Sequence, residues 1–213
     1  MIPAQYSISL SKNDWKALPQ KFFRHSTNGE QAPQETLVKL KYDDSFLYVA
    51  FECKQNPHWK DNTYTVHNTD LFNQEVFEIF IAEGTETPAR YLELEINPTN
   101  AIWVGKVHNP TKGKGGGNTL DMVAYEQAGI KHSVTISGDT WSGTMQIPLK
   151  LVGPQQTKDY RINFYRIVSW KSHPDSKWEC DTKDCNFLCW SPTKSGKTPA
   201  FHRPEHFGAM KLE

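Results

Sequence analysis

The chain has 213 residues, with 24 Lys plus Arg against 24 Asp plus Glu, so no net field selects for nucleic acid, an anionic membrane surface or a strongly charged substrate. Seven Trp, eight Tyr and eleven Phe exclude a disordered chain and supply stacking surfaces. The length suits one domain over residues 1–213, and no apolar run approaches the roughly 20 residues of a membrane helix.

The opening, MIPAQYSISLSKNDW, lacks the basic and apolar regions of a signal peptide, so any export signal is expected to lie outside this sequence. Short alternating runs then recur: TLVKLKY, FLYVAFEC, EVFEIFIA, YLELEIN, AIWVGKV, HSVTISG, WSGTMQI and YRINFYRIV. Turn clusters such as DDS at 43–45 and GDT at 138–140 separate them, and KGKGGGN at 112–118 reads as a mobile loop. No long amphipathic helix is present. The spacing predicts an all-β antiparallel sandwich with two long loop-like stretches, 54–74 and 171–207, which at such length are usually functional.

Two runs place carboxylates in unusual positions. Leu92, Leu94 and Ile96 share one strand face, and Tyr91, Glu93, Glu95 and Asn97 share the other. Glu78 lies between Val76 and Phe80, opposite Phe77, Ile79 and Ile81, and the Gly84–Pro88 segment reads as a hairpin loop that gathers the carboxylates on one sheet face. Three readings of the row compete. Glu93 and Glu95 stand roughly 7 Å apart, a glycosidase-like separation, but two acids on one strand do not flank a bond. Arg161, Asn163 and Tyr165 of YRINFYR supply a neighbouring strand for a neutralising polar ladder. Carboxylates, amides and Arg on a rigid sheet, with aromatic rings nearby, also fit sugar recognition.

Other motifs carry less. SGKT at 195–198 lacks the first glycine of a P-loop, since that position is Ser191. His202 and His206 are four apart, but Pro204 between them opposes the helix a zinc motif needs. Cys53 sits in a strand pattern. Cys180, Cys185 and Cys189 lack the spacing of a zinc knuckle, so two of them are expected to pair as a disulfide.

In order, DWKALPQKFF, TLVKLKYDDSFLYVAFEC, NQEVFEIFI, YLELEINPTNAIW, WSGTMQIPLKLVG, YRINFYRI, CWSPT and FHRPEHFGAMKL resemble the family 9-like carbohydrate-binding modules over nearly the whole chain. The resemblance implies a DOMON-like, immunoglobulin-like β-sandwich, extracellular or periplasmic, associated with glycan-degrading enzymes and stabilised by calcium. It implies a saccharide held between aromatic rings, with Glu78 and Asn97 in the family's sugar-bonding positions. Glu95 stands where the sugar-binding members carry Arg, and Phe72 is the nearest ring to a sandwiching Trp. The expected ligand-binding set is Phe72, Glu78, Glu95, Asn97, Arg161, Asn163 and Trp190, with no catalytic group; Trp190 reads equally as a buried loop anchor. His202, Phe207 and Gly208 match the closing signature. Asp61, Asn62, Asn68 and Asp70 are oxygen donors for calcium. The alternatives are a haem-binding DOMON-like electron-transfer domain, using Met122, Met145, His108 or His132, and a glycoside hydrolase or its accessory domain.

Overall fold

The computed structural model describes residues 2–113 and 117–213, so the centre of the glycine-rich 112–118 segment lies outside the described residues. Fourteen strands follow one another along the described chain: β1 (Ser7–Leu10), β2 (Lys16–Ala17), β3 (Phe22–His25), β4 (Gln31–Tyr42), β5 (Phe46–Cys53), β6 (Val76–Glu83) and β7 (Arg90–Ile96). After these come β8 (Ile102–His108), β9 (Thr119–Met122), β10 (Lys131–Ser137), β11 (Thr140–Pro148), β12 (Asp159–Ser169), β13 (Cys185–Cys189) and β14 (Gly208–Leu212). Helix is confined to single turns, such as Tyr125–Ala128 and Leu149–Val152. The fold is therefore the all-β sandwich that the alternating runs predict.

One layer has the order β10-β11-β5-β4, with β2 on β4; the other runs β3-β13-β12-β6-β7-β8-β9. Strand β4 belongs to both, because its first residues pair with β3 and Thr36–Tyr42 pairs with β5. Pairing is antiparallel except at the edge, where β1 runs parallel to β14, so the chain's start is stitched to its end.

Between the layers, inward residues at period two form the main core. Phe77, Ile79 and Ile81 of β6, Leu92, Leu94 and Ile96 of β7 and Phe164 of β12 meet Val49 and Phe51 of β5 and Trp141 of β11. Phe51 stacks on Phe77 at 4.0 Å between ring centroids.

The opposite face of the β12-β6-β7-β8 layer is buried as well. Strand β7 alternates apolar and polar residues and β6 carries Glu78 among apolar ones, yet burial along both is nearly continuous. The stretches that read as loops fold back over this face and bring Leu71, Trp178, Phe187, Phe201 and Phe207 onto Val76, Trp103, Tyr165 and Ile167. One of them contains β13, which pairs with both β12 and β3. Its five residues, flanked by Asp, Lys and Thr, are too few for a period to show, so sequence reasoning placed it in a loop.

Of the clustered cysteines, Cys180 and Cys185 form the disulfide, while Cys53 and Cys189 are buried thiols pushed up to about 12 by burial. Trp190 immediately follows β13 and turns into the main core. It is 1% exposed, packs edge-on to Tyr6 and near Phe164, and donates its indole N–H to Gln20 at 2.8 Å. It is a sandwich anchor rather than a sugar-facing ring, which corrects the ligand-binding expectation. Trp190→Ala should cost about 3 to 5 kcal/mol as the cavity it leaves only partly collapses. Denaturant unfolding measures this loss, and a change under about 1 kcal/mol would contradict the placement.

Candidate functional site

The covered face is organised by register. Glu78 stands directly opposite Glu95 on β7 and Tyr165 on β12; Glu95 in turn stands opposite Trp103 on β8. One step along, Phe80 faces Glu93 and Asn163, and Glu93 faces Gly105. Directly opposed residues point to the same side of a sheet, so Glu78, Glu93 and Glu95 share one face with Phe80, Trp103 and Tyr165. Gly105 makes room for the indole of Trp103: a Cβ there would lie 2.5 Å from its Cη2 and 2.6 Å from Leu120 Cδ1.

A cleft of about 450 Å³ opens on this face. Glu78 and Glu93 form its polar floor, and Phe72, Trp103, Phe187 and Phe201 contribute rings to its walls. Phe72 sits on the short turn Leu71–Asn73, at 41% exposure, and Phe201 stacks on Tyr165 at 4.4 Å. His202 closes one end, with its Nδ1 2.7 Å from the Tyr91 hydroxyl. Burial pushes the His202 imidazole down to about 4, so it is neutral near pH 7.

The carboxylates are the anomaly of the site. Glu78, Glu93 and Glu95 are 1%, 5% and 0% exposed. Oε1 of Glu78 has no hydrogen-bond partner among the described residues, and the carboxyl of Glu95 has only the backbone N–H of Phe72 near it. Burial pushes Glu93 up to about 8; burial, with the neighbouring carboxylates adding to it, holds Glu78 and Glu95 well above the ordinary 4.5. Glu75, at the start of β6, is a useful contrast. It accepts bonds from Asn56 at 2.6 Å and the Ser169 amide at 2.7 Å, and burial still raises it to about 7. Glu75 has donors built around it, whereas Glu78 and Glu95 keep unmatched acceptor atoms.

Of the expected binding set, Phe72 and Glu78 line the cleft. Glu95 shares the face and is fully buried, outside the lining. Asn97 is spent on the turn that follows β7: its amide donates to Tyr64 O at 2.8 Å and its Oδ1 accepts the Ala101 amide at 2.9 Å. Asn163 exchanges bonds with the Ser191 backbone in both directions at 2.9 Å. Arg161 pairs with Ala82, not with a glutamate, and donates to the carbonyls of Thr85, Pro204, Phe207 and Gly208. The neutralising ladder is therefore absent, and Arg161 fastens the closing segment instead. Sequence reasoning missed Trp103, Phe187, Phe201 and His202 as cleft residues, although AIWVGKV and FHRPEHFG contain three of them.

The calcium candidates do not fit an ion as a group. Asn68 donates to Val123 O and accepts from the Val104 amide, Asp61 accepts from the His173 amide, and Asn62 turns to Trp59 O and Glu75. The pairing of Met145 with His132 as haem ligands is also disfavoured by geometry. Met145 and His132 are directly opposed on one face, and both His132 nitrogens are engaged, by Tyr125 and Asn100. Axial ligands must reach iron from opposite sides.

The chain matches no protein-family model. It is 32% identical over 149 residues to an extracellular protein of Arthroderma benhamiae, an alignment spanning 66% of this chain and 67% of that protein. Its fold matches a Bacteroides uniformis protein described as a candidate carbohydrate-binding protein, with a TM-score of 0.71, 17% identity and coverage of 97% of this chain and 99% of that one. It also matches a family 9 carbohydrate-binding module of Caldicellulosiruptor kristjanssonii, solved with glucose, with a TM-score of 0.57, 16% identity and coverage of 97% and 95%. The cellotriose complex of a family 9 module from the same organism matches with a TM-score of 0.57, 17% identity and coverage of 97% and 93%.

The carboxylates set a pH dependence of stability whose sign follows from linkage. An unfolded glutamate ionises near 4.5, whereas folded Glu75 and Glu93 keep their protons up to about 7 and about 8. The folded state thus binds more protons, and its advantage, full below 4.5, is lost as pH rises through those values. His202 acts in the opposite sense between about 4 and 6.5. Thermal unfolding should therefore shift to lower temperature between about pH 6.5 and pH 8, and Glu93→Gln should flatten that slope. A wild-type melting temperature that is constant or rising over this interval would contradict the assignment.

Proposed function

We propose, from the premise that the chain belongs to the family of the Arthroderma benhamiae extracellular protein and has the β-sandwich fold of the family 9 carbohydrate-binding modules, that it is a non-catalytic domain that binds a saccharide in the cleft on β6, β7 and β8. The observation that carries this reading is the cleft's composition: aromatic rings on its walls and strand-borne carboxylates on its floor. Rings of Phe72, Trp103 and Phe201 offer apolar surface to a sugar's C–H faces, and Glu78 and Glu93 offer oxygens to its hydroxyls. The strands hold both carboxylates in place before binding, so little ordering entropy is lost when the ligand arrives.

No bond is broken in this reading. Glu93 and Glu95 leave the same strand on the same side, and Glu95 lies outside the lining, so the two do not flank a bond from opposite sides as an acid and base must. The relative's description as extracellular and the Cys180–Cys185 disulfide support a place outside the cytoplasm.

Phe72 gives the cleanest test, because its exposed ring contributes little to folding. Phe72→Ala should weaken saccharide binding by about 1 to 3 kcal/mol, the worth of a ring buried by the ligand, with the melting temperature nearly unchanged. Calorimetric titration with gluco- and xylo-oligosaccharides reads the affinity. Wild-type protein that binds no member of a broad saccharide array, or a Phe72→Ala variant of undiminished affinity, would sink the proposal.

A further inference from the structure

The cleft's charge points to a narrower ligand class than saccharides in general, an inference that rests on the binding reading above. A neutral sugar needs hydroxyl acceptors, and one or two carboxylates suffice. This face carries three, with Glu78 directly opposite Glu95 and Glu93 one strand step away. Side chains so related have Cβ atoms roughly 5 Å apart when opposed and within about 7 to 8 Å on the diagonal, close enough to act as one cluster of carboxyl groups. No Lys or Arg among the described residues lines the cleft.

The other titratable groups facing the three carboxylates supply no positive charge near neutral pH. His202 is neutral, Tyr91 and Tyr165 hold their protons more tightly than usual because of burial, and so does Cys189; Asp70 is a further acid acting on Glu95. Glu78, which lines the cleft and is 99% buried, has an Oε1 atom with no partner. Among the described residues a site of this kind supplies no cation, so it disfavours a sugar that brings its own carboxylate.

We propose that the cleft takes an amino sugar with a free ammonium group, which Glu78 and Glu93 receive directly, with the buried Glu95 directly opposite Glu78. A compact ammonium brings three N–H donors to a floor with an unmatched acceptor, and its charge favours the ionised form of carboxyl groups that keep their protons in the empty site. The rings of Phe72, Trp103 and Phe201 stand around the same opening, where aromatic faces attract a cation further. Because the empty site holds protons that an ammonium displaces, binding releases protons to solvent, whereas a neutral sugar leaves them in place. An acetylated amine has neither the charge nor the three donors, so acetylation removes the advantage.

The experiment compares three probes by calorimetry below about pH 7, where an amine comparable to an α-amino group keeps its proton. The probes are fully deacetylated glucosamine oligomers, their N-acetylated counterparts and cello-oligosaccharides of equal length, each with calcium and with a chelator. The deacetylated oligomer should bind at least about tenfold more tightly than either other probe. Titration in buffers of different ionisation enthalpy should show proton release for that probe alone, a readout on the wild-type chain that needs no variant. In Glu78→Gln/Glu93→Gln the affinities for the deacetylated oligomer and the cello-oligosaccharide should both fall, that for the deacetylated oligomer by more, so that the gap between the two probes closes to within about twofold.

Equal affinities for the amine and hydroxyl sugars, or a gap kept in the double variant, overturn the amino-sugar assignment and leave saccharide binding standing. An advantage that vanishes with the chelator overturns it in favour of a cation-bridged site. Failure of every sugar to bind removes both readings.

Discussion

Everything distinctive in this molecule follows from one sheet face that is polar by sequence and buried by structure. A carboxylate that loses water must gain donors, share a charge of opposite sign or keep its proton. Glu75 follows the first route through Asn56 and Ser169, with Arg166 adding some electrostatic relief. Among the described residues no cation lines the cleft beside Glu78, Glu93 and Glu95, which follow the third, and Glu78 and Glu95 keep unmatched acceptor atoms on the face that carries the cleft. A sheet that needed only a packed outer surface would be better served by apolar residues there, since buried polar groups without partners cost more than the hydrophobes they replace. The arrangement makes physical sense as a place prepared for something that brings hydrogen-bond donors.

The covering segments give that floor its walls. The Leu71–Asn73 turn sets Phe72 at the rim; β13 and the segment after it supply Phe187 and Phe201. The Cys180–Cys185 disulfide ties the segment entering β13, and the Arg161 guanidinium ties the segment entering β14 through backbone carbonyls. Rigidity therefore comes from two directions, from the strands beneath and from the ties above. Gly105 completes the shape by letting Trp103 lie close against β8.

The sandwich was legible in the sequence because inward residues of EVFEIFIA and YLELEIN alternate without interruption, as do those of YRINFYRIV as far as Arg166, and period two names a face. The same alternation put Glu78, Glu93 and Glu95 together. It could not say that their face is buried, because the elements that bury it, residues 54–74 and 171–207, pack through isolated rings and turns that have no period. Trp190 shows the limit most plainly. Its neighbour Cys189 lies on the carboxylate side of the layer and Trp190 on the core side, and nothing in CWSPT fixes which way a residue just past a five-residue strand points. Asn97, Arg161 and Asn163 are in the region expected, but their donors are consumed by backbone that sequence patterns do not place.

The central claim is that three neighbouring carboxyl groups are held without a counter-charge at the floor of a ligand cleft. Carbon-13 nuclear magnetic resonance of the glutamate side-chain carboxyls, followed as a pH titration with and without saccharide, observes those groups one by one. The account predicts that Glu93 titrates near 8 and Glu78 and Glu95 well above 4.5, and that Glu78 and Glu93 respond to the ligand while exposed glutamates such as Glu52 do not. Ordinary titration near 4.5 for all three, with no response to any sugar that binds, would contradict it.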